Sequence, residues 1–344
     1  MRRYHVAVIA GDGIGPEVVE AAIPVLERAA AKHHFGLDFE RLPYSADHFL
    51  KTGETLPDAA FRHLRDGVDA ILLGALGDPR VPGNEHARDI LLGLRFKLDL
   101  YVNFRPVTLL HPDLTPLRNS RPIDFVIFRE NTEGVYLGRG RIDGDQYIAE
   151  EVNTAQGVER IIRAAFEWAK GHGKTRVTMS DKSNAVPAHR VWQETFQRLT
   201  PEFPSIAAEH RYVDALALEL VREPERFQVI VTNNLYGDIL SDLGAGLVGG
   251  LGLAASANLH PGEGQPGLFE PVHGSAPLLA GKGVANPIAT VLTGALLFEH
   301  LGHPEAGRDL ERAVREALAA GVRTPDIGGK ATTRDTAAAV AARL

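Results

Sequence analysis

The chain reads as an α/β protein with a largely parallel sheet organised in two domains, and three observations predict this. Strand-like apolar runs alternate with amphipathic helices along the whole length. Its 344 residues exceed what one compact core usually organises. Low-complexity segments and internal repeats, which would signal a solenoid or a disordered chain, are absent from the sequence.

The elements follow in order. Val6 to Ala10 is a strand, and Pro16 to Lys32 is a helix with proline in its first turn. Leu37 to Leu42 is a strand and Asp58 to Asp66 a helix. Ala70 to Leu73 is a buried strand, with Gly74 to Pro79 expected as a loop. Asp89 to Leu98 is helical. Phe125 to Arg129, Arg176 to Ser180 and Val229 to Thr232 are further strands, with helices at Gln156 to His172 and Ala188 to Leu199. The polar, glycine-rich stretch Gly138 to Val152 breaks the rhythm, as an exposed loop or an arm that pairs with a second subunit. Thr336 to Leu344 closes the chain as an alanine-rich helix.

Composition excludes several functions. The net charge of −7 gives no global attraction to nucleic acid or to an anionic membrane. An anionic substrate must therefore meet a local cluster of cations. No cysteine means no disulfides, no thiolate nucleophile and no cysteine zinc site. The N-terminal apolar run is too short for a signal peptide and no stretch is long enough to span a bilayer, so a cytoplasmic enzyme is expected.

The segment Asn233-Asn234-Leu235-Tyr236-Gly237-Asp238-Ile239-Leu240-Ser241-Asp242 follows a Val-Ile-Val strand and opens a helix. Asp238 and Asp242, four apart, share one helical face, while Ile239, Leu240 and Leu243 are expected to bury the other. Two like charges held together repel unless a cation lies between them, and hard oxygens suit Mg²⁺ or Mn²⁺. The alternative is a solvated helix start whose acids favour the dipole.

Other constellations can carry chemistry. Gly11-Asp12-Gly13-Ile14-Gly15-Pro16 is a glycine-rich strand-to-helix turn, but Pro16 in the sixth position and the missing downstream acid argue against a Rossmann fingerprint. Arg95, Arg105 and Arg129 offer planar forks for carboxylates, unless each pairs with an internal acid. Lys182 follows a strand directly and is a candidate base. Tyr136 is a proton donor or a core residue. The irregular stretch Phe269 to Asn286 can wrap a nucleotide with its amides, or can be a long surface connection.

Taken together, these residues resemble the β-decarboxylating dehydrogenase family, whose members act on 3-isopropylmalate, isocitrate, homoisocitrate and D-malate or tartrate. The resemblance runs from Gly11 to Gly329. It implies the isopropylmalate/isocitrate dehydrogenase-like two-domain α/β fold, distinct from Rossmann, with a discontinuous first domain. Residues 1–98 and 255–344 would form the cofactor-side domain, and 99–254 the substrate, metal and dimerisation domain. Arg95, Arg105 and Arg129 match the arginines that clamp the malate carboxylates. Asp238 and Asp242 match the metal ligands of one subunit, and Asp214 the ligand from the other subunit of a homodimer. Lys182 matches the general base, also reaching across, and Tyr136 the acid that protonates the product. The nicotinamide end falls at Ile14 and the Gly74 to Asp78 loop, including Ala75, and Asn184 is a further cofactor-binding residue. The adenosine loop spans His273, Gly274, Ser275, Ala276, Pro277, Leu278 and Asn286.

Substrate and cofactor follow from departures within that pattern. Leu91 and Leu92 resemble the apolar surface that receives an isopropyl group, whereas Arg88 stands where isopropylmalate enzymes usually carry Glu and can pair with an extra carboxylate. The expected reaction is oxidative decarboxylation of a (2R)-3-substituted malate, 3-isopropylmalate first, with D-malate/tartrate, isocitrate and homoisocitrate as alternatives. Leu278 replaces the Asp that NAD-using relatives place after Pro277, and no Lys-Tyr pair greets a 2′-phosphate, so NAD is expected with weakened discrimination. A catalytically silent regulatory paralogue is the alternative of another class.

Overall fold

The computed structural model describes residues 2–118, 122–262 and 264–344. Its main sheet contains ten strands: β1 (Arg3–Gly11), β2 (Gly36–Leu42), β3 (Ala70–Ala75), β4 (Val102–Thr108), β5 (Asp124–Glu130), β8 (Arg176–Asp181), β9 (Ala207–Tyr212), β10 (Val229–Thr232), β11 (Ala255–Leu259) and β12 (Gly267–Pro271). Two further strands, β6 (Gly140–Asp143) and β7 (Gln146–Ala149), form a separate antiparallel hairpin. The order across the main sheet is β2-β1-β3-β12-β11-β4-β5-β10-β8-β9. Both flanks are parallel, as expected. The centre is not: β11 runs antiparallel to β12 and β4, and β4 antiparallel to β5.

Strand alternation sorts side chains onto two faces. Val6, Val8, Leu72, Phe128, Val229 and Val231 enter one continuous core, covered by the helices Gly15–Lys32, Ala155–Gly171, Ile288–His300 and Pro304–Ala319. On the opposite face the covering is split in two. Ala7, Ile9, Ile71, Leu73 and Leu268 pack with Leu64, Ile90 and Leu94. Ile127 and Ile230 pack with Leu216, Leu220, Leu240 and Leu247. By the same alternation Arg129, two residues past Ile127, and Glu270, two past Leu268, project on this divided face. The register pairs Arg105 with Ile127 and Ser256 with Glu270, so these lie there too. The functional cleft opens between the two coverings.

Most expected elements form within a residue or two of their expected ends. Three differ. Gly74 and Ala75 are the last two residues of β3 rather than loop, because that strand is buried throughout and paired with β1 as far as Gly11. The helix around Asp89 widens into a π-turn at Arg88–Leu92 before closing again at Gly93–Lys97. Such single wide turns occur often at functional sites. The stretch Gly138 to Val152 contains the β6–β7 hairpin, whose Ile142 and Tyr147 are exposed.

The helix carrying the paired aspartates spans Asn234–Leu247, and its N-cap is Asn233, whose side chain accepts from the Tyr236 amide at 2.9 Å. Ile239 is 58% exposed, contrary to the expectation that it is buried with Leu240, because it lies on the helix surface that the rest of this chain leaves uncovered. Removing the cap leaves an orphan amide at the helix start, so Asn233→Ala should lower unfolding free energy by about 1–2 kcal/mol. Chemical denaturation with an unchanged midpoint would show the cap to be dispensable.

Candidate active site

The cleft has a volume of about 250 Å³ and gathers Leu91, Leu92, Arg95, Arg105, Arg129, Tyr136 and Asp238 with Gly74, Ala75, His273 and Gly274. Each comes from a different part of the fold. Arg129 ends β5, beside the strand that leads into Asp238. Arg105 lies within β4, and Arg95 on the helical turn after the π-turn that carries Leu91 and Leu92. Parallel strands deliver their carboxyl ends to this edge of the sheet, the usual place for a ligand in such folds.

All three guanidiniums are buried. Arg129 Nη1 donates to Asp238 Oδ1, and Arg129 Nε donates to Asn234 Oδ1 at 2.9 Å. Arg105 Nη1 donates to Ser241 Oγ at 2.5 Å and to Asp238 Oδ1 at 3.2 Å, with Asp242 Oδ1 at 3.6 Å. Arg95 Nη2 donates to Glu270 Oε1 at 2.6 Å. Internal pairing therefore occurs for each arginine, yet it is incomplete. Arg95 Nε and Arg105 Nε are buried without hydrogen-bond partners. Burial pushes the Arg129 guanidinium down, reinforced by the like charges of Arg105 and Arg95 and opposed by Asp238. Burial lowers Arg105 as well. A second anion in the cleft would relieve both.

The acids respond in the opposite sense. Burial alone would raise Asp238, but Arg129 and Arg105 outweigh it and hold the carboxylate below its ordinary value. Asp242 is raised, by burial first and then by Asp238 acting against the pull of Arg105. The pair thus retains the mutual repulsion that a cation would remove. Their oxygen donors, one helical turn apart at the cleft rim, fit a hard divalent ion. Tyr136 donates to Asp238 Oδ2 at 2.6 Å, and burial together with that bond raises the phenol, which keeps its proton at neutral pH. Gly237 makes this arrangement possible, since a Cβ there would stand 2.5 Å from Cγ of Arg129.

On the other side of the cleft the turn after β1 presses against the segment following β12. The Ile14 amide donates to the Ser275 carbonyl at 2.8 Å. Gly13 has φ +59°, and a Cβ on it would meet that carbonyl oxygen at 1.9 Å, so only glycine fits. Ala276 sits in the left-handed region at φ 38°. His273 Nε2 is buried with no partner, a polar atom free to meet a ligand group. Asn286 is buried and donates to Asp326 Oδ2 at 3.1 Å, which anchors the far end of the segment. Leu278 is 85% exposed and Pro277 opens a short 3₁₀ turn beside it.

Several expected residues are not brought into the cleft by this chain. Lys182 and Asp214 do not line it; they pair with each other, Lys182 Nζ donating to Asp214 Oδ1 at 2.6 Å, and that bond lowers Asp214. Asn184 is exposed on the same loop as Lys182. Arg88 is exposed and directed at Gly138 instead of lining the cleft.

Residues outside the expected set also shape the site. Glu270 is the buried counter-ion of Arg95 and also accepts from Asn258 at 2.9 Å. Asp12 is buried and accepts from the Ala46 and Gly77 amides and from His86 Nε2, which ties the Gly11–Gly15 turn to the segment after β3. Glu151 joins two functional segments. His189 Nε2 donates to it at 2.9 Å while His189 Nδ1 accepts the Lys182 amide at 3.1 Å, and Asn233 Nδ2 donates to the same oxygen at 3.0 Å. The only sequence signals were the location of Glu270 and Asp12 inside glycine- and proline-marked loops; Glu151 had none.

With this geometry established, the chain can be set beside known proteins. Its residues 5–341 match the model of the isocitrate/isopropylmalate dehydrogenase family. A protein of Streptomyces griseus named 3-isopropylmalate dehydrogenase is 46% identical over 324 residues, covering 92% of this chain and 93% of its own. Another so named, from Clavibacter michiganensis, is 47% identical over 329 residues, covering 93% and 92%. The crystal structure of isocitrate dehydrogenase from Methylococcus capsulatus superposes with a TM-score of 0.89 at 38% identity, covering 100% of this chain and 99% of that one. The fold and cleft are those of a decarboxylating hydroxy-acid dehydrogenase. The chain belongs to the isocitrate/isopropylmalate dehydrogenase family.

Glu151 supplies a pH test. The hydrogen bond from His189 holds its carboxyl below the ordinary 4.5. A depressed folded-state pKa adds stability above the unfolded value and loses it as pH falls toward the folded one. The stability difference between the parent and Glu151→Gln should therefore be full at neutral pH and shrink on acidification below 4.5. A difference independent of pH in urea titrations would contradict the assignment.

Proposed function

We propose that this chain is an NAD-dependent, divalent-metal-dependent enzyme that oxidatively decarboxylates a (2R)-3-substituted malate, with 3-isopropylmalate preferred. The observation that carries this is the convergence of three buried guanidiniums, two of them with an unpartnered Nε, beside Leu91 and Leu92. Such a cleft attracts a small dicarboxylate with an apolar branch. Arg88 does not line it, which favours the isopropyl group over a third carboxylate. The relatives near 46% identity carry the name 3-isopropylmalate dehydrogenase.

In this reading Arg95, Arg105 and Arg129 hold the two substrate carboxylates and exclude water from the reacting carbons. Asp238 and Asp242, with the partner's Asp214, would hold Mg²⁺ or Mn²⁺. When bound, the metal would supply Lewis acidity and the nicotinamide a hydride acceptor. The partner's Lys182 takes the hydroxyl proton. Tyr136, kept protonated by burial and by Asp238, returns a proton to C3 after CO₂ departs. The segment from His273 to Asn286, with Ile14, Gly74 and Ala75, holds the dinucleotide, and the partner's Asn184 joins its nicotinamide end. Residues 1–98 with 255–344 act as the cofactor-side domain, and 99–254 as the substrate and dimerisation domain.

The dimer accounts for what one chain lacks. Lys182 and Asp214 sit together outside the cleft that this chain forms. Exposed apolar Leu218, Val221 and Ile239 lie on the helices Val213–Arg222 and Asn234–Leu247, beside the aspartates, and offer a face for a second copy. The β6–β7 arm extends that contact.

Shared sites predict complementation. Lys182→Met and Asp242→Asn homodimers should each be inactive, and random reassociation of the two should restore about a quarter of the parent rate, since half of the sites in a mixed dimer are intact. Absence of recovery in two correctly dimeric variants would show that each chain works alone. For specificity, Leu92→Asn should lower kcat/KM for 3-isopropylmalate by about 10- to 100-fold. Comparison of kcat/KM for 3-isopropylmalate, D-malate, isocitrate and homoisocitrate tests the substrate directly, and a preference for a tricarboxylate would refute it. An NADP preference would refute the cofactor.

A further inference from the structure

A second group of metal-ligating side chains lies at the opposite end of β1 from the cleft. His5 is six residues before Gly11, roughly 20 Å along an extended strand. It sits on β1, Glu40 on the outer strand β2, and His63 on the helix Asp58–Asp66. One ligand atom from each falls within 4.8 Å of the other two, and among the described residues no other set of three does so. Glu40 Oε2 is 3.1 Å from His5 Nε2 and 2.6 Å from His63 Nε2. All three side chains are between a third and two-fifths exposed, so an ion can reach them from solvent.

The His5 tautomer suits coordination, whereas His63 Nε2 donates to Glu40 Oε2 at 2.6 Å and must pass that proton to Nδ1 before it can ligate. His5 Nδ1 lies 3.0 Å from the Gly67 carbonyl oxygen, a partner that can only accept, so Nδ1 carries the proton and Nε2 presents its lone pair. A backbone carbonyl bound to the second ring nitrogen is the usual support of a metal-bound imidazole. The His5 amide also donates to Asp69 Oδ2 at 2.7 Å, which steadies the strand at this point. Tetrahedral coordination at about 2.0–2.1 Å needs ligand atoms roughly 3.3 Å apart. His5 Nε2 is already close to that separation from Glu40 Oε2, at 3.1 Å, whereas His63 Nε2, at 2.6 Å, must withdraw by roughly 0.7 Å, a movement open to a partly exposed side chain.

We propose that His5, Glu40 and His63 form a site for a late first-row divalent cation, Zn²⁺ above all, which clasps the edge strand β2 and the helix Asp58–Asp66 onto β1. Two imidazoles and one carboxylate select such ions over Mg²⁺ and Ca²⁺, which prefer all-oxygen shells. The site is chemically distinct from the aspartate cluster at the cleft and does not depend on the reaction assigned there.

The test is titration of the metal-free, full-length protein with Zn²⁺, followed by calorimetry and thermal unfolding, with Co²⁺ as a visible-absorption probe. Asp242→Asn weakens the oxygen site, so zinc retained there reports the histidine site. One Zn²⁺ per chain, a raised Tm and the strong absorption of four-coordinate Co²⁺ are expected in Asp242→Asn. Each should be lost when His63→Gln is added, with Tm in the absence of metal little changed. Glu40→Gln and His5→Gln should weaken binding at least tenfold and serve if His63→Gln fails to fold. Zinc stoichiometry and Tm shift that survive all three substitutions, or that vanish in Asp242→Asn alone, would overturn the site.

Discussion

Everything at the cleft depends on three guanidinium groups removed from water whose hydrogen bonds the protein leaves incomplete. Asp238 and Glu270 pair with them inside the protein, Asp242 stands at the rim, and two Nε donors remain without partners. Buried cations in this state are costly unless an anion completes them. The remaining features follow from that deficit. Asp238 is held ionised and Tyr136 keeps its proton against Asp238.

The scaffold that tolerates this strain is a sheet covered continuously on one face and in two separate parts on the other. Charges placed on the continuous face would be buried in an apolar core. On the divided face, Arg105, Arg129, Ser256 and Glu270 emerge in the gap. The short antiparallel interlude formed by β4, β11 and β12 brings the gap to the centre of the sheet. Rigid positioning comes from polar links far from the reacting atoms. Asp12 fixes the first turn to the segment after β3, and Glu151 couples the Lys182 loop, through His189, to the cap of the aspartate helix.

Much of this was legible in the residues. Long apolar periodicities, a proline at a helix start and an Asn cap are local signals, so the strands and helices around Asp238 fall where the pattern puts them. The arginines and Tyr136 were recognisable through the family motif, and the structure gathers them. Other features were not legible. Glu270 reads as one acid in an irregular loop, and only pairing of β12 with β11 brings it to Arg95. Glu151 lies in a stretch without periodicity, and its bonds cross from one segment of the chain to two others. Ile239 follows an amphipathic pattern that predicts burial, yet its surface faces away from this chain's own core.

By itself the sequence determined the α/β class, the position of most helices and strands, the supply of arginines and acids, and the absence of cysteine. These depend on near-neighbour spacing and side-chain chemistry. Tertiary structure alone decided which acids answer which arginines and where the sheet turns antiparallel. It also decided that Lys182 and Asp214 stand together outside the cleft, and that His5, Glu40 and His63 meet at the sheet edge. Those outcomes join residues tens to hundreds of positions apart, and a linear pattern carries no record of which distant segments will become neighbours.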